Sequence, residues 1–318
     1  MELQNIAKEI GAELVGNNRH IINGISPEVP DLNKIIFISS KKNIPENYYQ
    51  YGAILTSYEL SESFKDCNLL LSENPKLAFA FLTNLFTIVS SEPNICKKNK
   101  NKNLMLGRDV FIGKNVKFGS NVVLNDKVKI GDNSVIGHNV VIHRDCVIEK
   151  NVVIESGTII GSEGFGNVLD THNKWNHIYH FGKVIIGENV LIGSNCCIDR
   201  GTIEDTIISS GVIIDNLVHI AHNVFIGENT AIAAKVGIAG SCNIGKRNMI
   251  GGMVGIVDHI TTTDDVIVSA TSTVYKDIKE PGVYTGILPI SKHAKWKRIA
   301  LIISKLDKIV KQVNFKKR

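Results

Sequence analysis

Ile214-Asp215-Asn216-Leu217-Val218-His219-Ile220-Ala221-His222-Asn223 lies within a run in which an aliphatic residue returns at every sixth position. The run comprises Ile208, Ile214, Ile220, Ile226, Ile232, Ile238, Ile244, Ile250 and Ile256, then Thr262, then Val268. A period of six matches neither the 3.6 of a helix nor the 2 of a strand. It marks a parallel β-helix, each coil holding three short strands and three corners. Upstream the same period passes through Ile112, Phe118, Leu124, Ile130, Ile136, Ile142, Ile148, Ile154 and Ile160, then Ile186, Ile192 and Ile198. The residue four after each rung is small, as at Val116, Val122, Ser134, Cys146 and Thr158, which suits a cramped interior. The 23 rungs, at three per coil, predict roughly eight coils stacked about 4.8 Å apart.

Two irregularities stand out. Residues 162–183 break the period with Gly, Asn, His and aromatic residues, and aperiodic loops on rigid scaffolds tend to carry function. Ile198 to Ile208 spans ten residues, which reads as a two-rung step shortened by two.

Outside the repeat, residues 1–103 read as a mixed α/β domain. Leu3, Ile6, Ala7 and Ile10 have helical spacing with Gly11 as the stop, and Ile35–Ile38 and Ala53–Leu55 read as strands. Pro75 opens a second helix whose expected buried stripe is Leu77, Ala78, Phe81, Leu82 and Leu85. Lys97–Lys102 has linker composition. The repeat domain is assigned to 104–278, closed by Pro281-Gly282 and Pro289. Residues 279–318 form a turn and a helix from about Ser291, with Trp296, Ile299, Ala300, Ile303, Leu306, Val310 and Val313 on one side and mostly lysine on the other.

Composition narrows the function classes. Apolar residues make up 43% and charged residues 21%, values of a soluble globular protein. The six cysteines (67, 96, 146, 196, 197, 242) lack metal-type spacing. Cys146, Cys196 and Cys242 sit at small interior positions, as expected of core-fillers in a reducing compartment. The start Met1-Glu2-Leu3 resembles no signal peptide and no apolar stretch predicts a membrane span, so a cytoplasmic location is expected. The net charge of +5 is uneven: residues 291–318 carry ten Lys or Arg against Asp307, a net of +9, and the rest sums to −4. A basic tail on an acidic body suits an acidic partner. Without interleaved aromatics it does not suggest nucleic-acid binding.

Among ten histidines, His222 follows a rung by two and points outward at a corner; His138 has the same phase, and a solvated histidine is the default reading of either. Three neighbours distinguish His222. Asp215 lies one repeat plus one residue earlier, where a carboxylate can orient an imidazole. Gly240, 18 residues later, is one coil away and offers an unobstructed N–H. His259 is two coils plus one residue on. A zinc site from His219, His222 and His259 is not expected, because histidines three apart do not converge on a β-helix corner as they do on a helix.

With Ile160-Gly161-Ser162-Glu163-Gly164-Phe165-Gly166, Ile198-Asp199-Arg200-Gly201-Thr202, Asp215-Asn216, Ile220-Ala221-His222-Asn223 and Glu280-Pro281-Gly282-Val283-Tyr284, the chain resembles the UDP-3-O-(3-hydroxyacyl)glucosamine N-acyltransferases of lipid A biosynthesis. The leading module of about 100 residues separates it from the related O-acyltransferases. The resemblance implies a mainly β, left-handed parallel β-helix with a uridine-binding N-terminal α/β domain, assembled as a homotrimer. It implies no redox or metal cofactor. The partners it implies are a 3-hydroxyacyl form of acyl carrier protein and UDP-3-O-(3-hydroxyacyl)glucosamine. His222 matches the catalytic base, Asp215 its partner, Gly240 the oxyanion amide and His259 a second active-site histidine. Asn216 and Asn223 match substrate-binding positions, Lys276 the carrier-protein contact, and Phe37 the aromatic that stacks on uracil. Thr273 falls at the position that measures the acyl chain, where a small residue implies a longer chain. The chain departs from the family pattern at Ser40 and Asn43, and at Trp175-Asn176-His177-Ile178-Tyr179-His180. An acetyl-CoA-dependent sugar N-acetyltransferase and a non-catalytic binding paralogue are the alternatives.

Overall fold

The computed structural model describes residues 1–25, 30–41, 44–87, 103–169, 173–286, 290–306 and 310. The chain divides into two compact units, Met1–Asn94 and Ile95–Arg318. The expected linker at 97–102, Asn43, Cys96, Pro289 and Val313 lie outside the described residues.

In the first unit, five strands run Glu13–Val15, Leu69–Leu71, Ala53–Thr56, Lys34–Phe37 and Gly24–Ile25 across the sheet, parallel except for the first pair. The helix Leu3–Ile10 buries Leu3, Ile6, Ala7 and Ile10, as its spacing predicts. It ends at Gly11, whose φ of 64° suits a residue without Cβ. The helix Pro75–Thr87 corrects the expected stripe. Ala78 and Leu82 are buried and Phe79, Leu85 and Phe86 pack beside them, whereas Leu77 and Phe81 are exposed. The buried line is i, i+4, i+7, and the sequence reading had rotated it toward the flanking apolar residues.

The second unit is a parallel β-helix with three faces of seven, nine and nine strands among the described residues. The first face runs from Phe111–Ile112 to Asn243–Ile244, the second from Lys117–Phe118 to Gly282–Tyr284, and the third from Met105–Leu106 to Thr273–Val274. Single bridges at Thr261 and Ile278 extend the first face by two more levels. The stack therefore has nine levels rather than the eight counted from the rungs. Met105–Leu106 precedes the first rung, and Gly282–Tyr284 still pairs with Val266–Val268 beyond the expected end at 278.

Each rung faces inward. Ile130, Ile142, Ile160, Ile186, Ile198, Ile220 and Ile238 are all fully buried, each contributing on the order of 1.5–3 kcal/mol. Thr262 breaks the aliphatic series without an unsatisfied hydroxyl, since its Oγ1 accepts from Asn248 Nδ2 at 2.7 Å and from the Gly245 N–H at 3.1 Å. At the corners a left-handed residue recurs every six positions, often Asn, as at Asn115, Asn133, Asn151 and Asn189. Asn tolerates that backbone, and these four side chains are linked coil to coil at 3.1–3.3 Å.

The strand register revises the reading of both irregularities. Ile160 and Ile186 occupy successive rungs, on the third and first faces, and so do Ile198 and Ile208. A regular step is six residues, so the first corner carries an insertion of twenty and the second an insertion of four. The ten residues from Ile198 to Ile208 are thus a single step lengthened by four, not two steps shortened by two. Both insertions fall on the corner between the third and first faces.

Candidate active site

That corner also carries His222. Going up the stack, the residues one and two past the third-face rungs are Asn125 and Asp126, His143 and Arg144, Gly161 and Ser162, Asp199 and Arg200, Ala221 and His222, Ala239 and Gly240, Val257 and Asp258, and Tyr275 and Lys276, with His259 one residue further along. Along the third face itself the outward residues shrink from His219 to Gly237 and Gly255, and a Cβ added to either glycine would meet open space. Those glycines form the floor of a groove of about 660 Å³, lined by Phe165, Asp199, His219, His222, Gly240, Asp258, His259 and Thr273 among others.

His222 is held by its surroundings. Asn223 Oδ1 accepts from the Thr202 N–H at 3.0 Å while its Nδ2 donates to the Glu204 carbonyl at 3.0 Å, so the amide can face only one way. That acceptor oxygen lies 3.0 Å from His222 Nδ1. Nδ1 must therefore donate, which leaves Nε2 as the basic nitrogen. Asn223 orients the imidazole through that network.

The ring is clasped between two glycines. A Cβ at Gly240 would meet His222 Cε1 at 2.6 Å and Nε2 at 2.7 Å; one at Gly164 would meet His222 Cβ at 2.9 Å and His180 Nε2 at 2.8 Å. Gly240 is thus required for the imidazole itself, a reason beyond the open amide read from the sequence. At neighbouring corners the equivalent N–H is capped by a side chain 18 residues on, as Lys246 N–H is by Asp264 and Ser120 N–H by His138. Among the described residues the Gly240 N–H has no acceptor, which leaves it available to an oxyanion.

Asp215 is not brought to His222 within one chain. It follows a second-face strand and lines a different groove with Ile213, Ala231, Met249 and Ile267, and its Oδ1 accepts from the Asn216 N–H at 2.7 Å and Nδ2 at 2.9 Å. Asn216 in turn caps the Ser194 N–H, so it too lies outside the His222 groove. His138 occupies the Asp215 corner, which removes its apparent equivalence to His222. A six-residue phase identifies a corner position but not which of the three corners holds it.

The carboxylate near His222 is Asp199, which the sequence reading quoted in a motif without giving it a role. It is 7% exposed. Its Oδ1 accepts from Ser162 Oγ at 2.7 Å and its Oδ2 lies 3.7 Å from His219 Nε2. Burial pushes its pKa above the ordinary carboxylate range, against the opposing pull of the Ser162 hydrogen bond and of His219, His222 and His180. His180, fully buried, sets its ring edge-on to His222 with centroids 5.3 Å apart, its backbone N–H donating to Glu163 Oε2 at 2.9 Å. The signal for His180 is its place in the longer insertion, and for Asp199 its place at the mouth of the shorter one.

His259 lines the groove at the left-handed corner position, with φ 58°. Lys276 lies in an adjoining recess of about 280 Å³ that shares Thr273 with the groove. Phe37, in the first unit, stacks on Phe79 with centroids 4.6 Å apart, so one of its faces is already covered. Cys146, Cys196 and Cys242 are buried free thiols, as their phase predicts, with Cys146 pushed up to about 11 by burial. Among the described residues no group of three His, Cys, Asp or Glu side chains is arranged to hold a metal ion, and no helix is long and apolar enough to cross a membrane.

Residues 109–144 match the model of the bacterial transferase hexapeptide (six repeats), and residues 127–162 and 183–216 match that of the hexapeptide repeat of succinyl-transferase. Similar curated proteins include the UDP-3-O-acylglucosamine N-acyltransferases of Bordetella avium (strain 197N), 40% identical over 48% of this chain and 44% of its own length, and of Hahella chejuensis (strain KCTC 2396), 38% identical over 48% and 44%. The chain thus spans less than half the length of these relatives. Among solved structures, the Francisella novicida UDP-N-acetylglucosamine acyltransferase superposes with a TM-score of 0.53 at 23% identity, covering 60% of this chain and 70% of that one. The enzyme of the same name from Campylobacter jejuni gives 0.51 at 22%, covering 58% and 70%. The shared fold is a left-handed parallel β-helix.

Proposed function

We propose that this chain is a hexapeptide-repeat acyltransferase that moves a 3-hydroxyacyl group from acyl carrier protein to the 2-amine of UDP-3-O-(3-hydroxyacyl)glucosamine. The observation that carries this reading is the imidazole of His222, its tautomer set by Asn223, lying against Gly240 at the floor of an open groove. His222 Nε2 takes a proton from the amine as nitrogen attacks the thioester carbonyl. The Gly240 N–H holds the oxyanion, and the imidazolium returns the proton to the departing sulfur. His259 lines the same groove, and Thr273 leads from it toward the Lys276 recess, a path that suits an acyl chain entering from a carrier docked at the basic end. The names of the curated relatives support the acceptor.

The second face supports assembly. Its outward residues Ile213, Ala231, Met249 and Ile267 form an apolar groove of about 550 Å³ at the coils that carry His222 on the adjacent face. A homotrimer in which this face of one copy meets the third face of the next gives Asp215 a route to His222 that a single chain lacks. We place the uridine on the N-terminal domain at Phe37, and the protein in the cytoplasm where its acyl donor is made.

The test is acyl transfer from defined 3-hydroxyacyl carrier proteins to the acylated UDP-glucosamine, with acetyl-CoA as competing donor. Amide product from the carrier-bound acyl group is expected. Product from acetyl-CoA alone would favour an N-acetyltransferase, and no product from either donor would leave a binding paralogue.

A further inference from the structure

The acceptor of an amide-forming transfer arrives at neutral pH largely as an ammonium, since aliphatic amines beside electronegative substituents titrate near pH 7–8. Two protons must leave that nitrogen. One ends on the thiol of the leaving group and the other reaches solvent. A single imidazole that carries a proton from nitrogen to sulfur accounts for only the first. The groove is lined by further bases, Asp199, His219, Asp258 and His259, and of these only Asp199 is buried, one coil from His222.

We propose that Asp199 is a catalytic residue that binds the acceptor ammonium and removes its first proton. Four observations place it there. It ends the third-face strand Cys197–Asp199, in register with Ala221 of the next coil, so its backbone is about 4.8 Å from that of the residue preceding His222. Its carboxylate lines the His222 groove although the residue is 7% exposed. Ser162 Oγ fixes Oδ1, leaving Oδ2 on the His219 side at 3.7 Å. The groups facing it are His219 and His222 from the next coil and His180 from the insertion. Neighbouring Arg200 spends its Nε on the Gly182 carbonyl at 2.7 Å. Burial disfavours the ionised carboxylate, which makes it a stronger proton acceptor than a solvated one.

The step balances. Asp199 carboxylate takes a proton from R–NH₃⁺, giving a neutral carboxyl and R–NH₂. The nitrogen lone pair forms the C–N bond as the carbonyl π pair moves to oxygen, beside the Gly240 N–H. His222 Nε2 removes the second proton, the C–S bond breaks with its pair going to sulfur, and the imidazolium protonates the thiolate. Asp199 then releases its proton to water.

This inference rests on the amine-acylation reading, and the experiment separates the two. Asp199→Asn keeps an acceptor for Ser162 but removes the base. Its kcat/KM with the amino sugar should fall about 10²-fold at pH 6.5 and recover to within a few-fold at pH 9, where the amine arrives neutral. In parallel, calorimetry without any acyl donor compares binding of the UDP-linked 2-amino sugar with its 2-hydroxy analogue. The variant should lose roughly tenfold in affinity for the amine and nothing for the hydroxyl. A loss equal at both pH values, or unchanged amine binding, overturns the role of Asp199 while the transfer reading stands. Asp199-dependent amine binding by a wild-type protein that makes no amide overturns the transfer reading and leaves the ammonium site. Absence of both overturns both. Thermal unfolding checks the fold. Ionised Asp199 costs stability above the ordinary carboxylate range, and that cost disappears as pH falls below about 4. The melting temperature of Asp199→Asn should therefore exceed wild type at pH 7 and match it near pH 4, whereas loss of a structural ion pair would lower it at pH 7.

Discussion

The second and third faces of the β-helix run through the same coils on the same six-residue grammar, yet one presents Ile213, Ala231, Met249 and Ile267 and the other His219, Gly237, Gly255 and Thr273. Their inward rungs are interchangeable aliphatics. What differs is a single outward position per strand and the corner that follows it. A hydrophobic face excludes water by contact with another surface. A face carved down to glycine leaves space for a ligand beside a fixed imidazole. The solenoid therefore supports two unlike surfaces without any change in its core.

The contrast can be broken most sharply on the third face. His222→Ala should reduce turnover about 10²–10⁴-fold with little change in melting temperature; near-wild-type rates on purified substrates would refute the assignment of the base. Gly240→Ala places a methyl where the His222 ring sits, and a loss on the order of 10²-fold is expected. Retention of full activity would mean the ring has another productive position. On the second face, Met249→Arg should leave each coil intact but lower the mass measured by light scattering to that of one copy, with turnover lost alongside. An unchanged assembly would show that this groove is not the contact. The smallest effect should come from Thr273→Leu, which narrows the passage between the groove and the Lys276 recess. Preference for long over short acyl donors should fall roughly tenfold, and an unchanged chain-length profile would move the end of the acyl path elsewhere.

Much of this is legible in the sequence, and the reasons are physical. Nearly every rung is aliphatic because such side chains fill a narrow triangular interior, so the six-residue period survives in the sequence and identifies the fold. His222, Gly240 and His259 could be put on one edge because the coil length between them is constant. The same arithmetic puts Asp215, seven residues before His222, on the neighbouring corner, but it does not say whether that carboxylate reaches the imidazole within one chain or across two. Asp199 and His180 were hidden for a different reason. His180 belongs to the longer insertion, where the phase is lost, and Asp199 stands one residue past the rung Ile198, immediately before the shorter one, where only pairing between coils shows which corner it shares. The orientation of the helix Pro75–Thr87 was misjudged because Leu77 and Phe81 are apolar yet exposed, and hydropathy alone cannot tell which apolar residues find a partner.

Both insertions occur at the corner that holds His222. In a stacked solenoid a strand cannot lengthen without shifting every ladder bond of its neighbours, whereas a corner can grow outward while the coils above and below keep their pairing. The third-to-first corner thus acts as the adjustable part of a machine whose other dimensions are locked. Twenty residues there, and four more one level up, can change in length and chemistry independently of the rungs. Related chains should therefore vary in acceptor recognition mainly by what they hang from this corner, while the spacing from His222 to Gly240 stays at one coil.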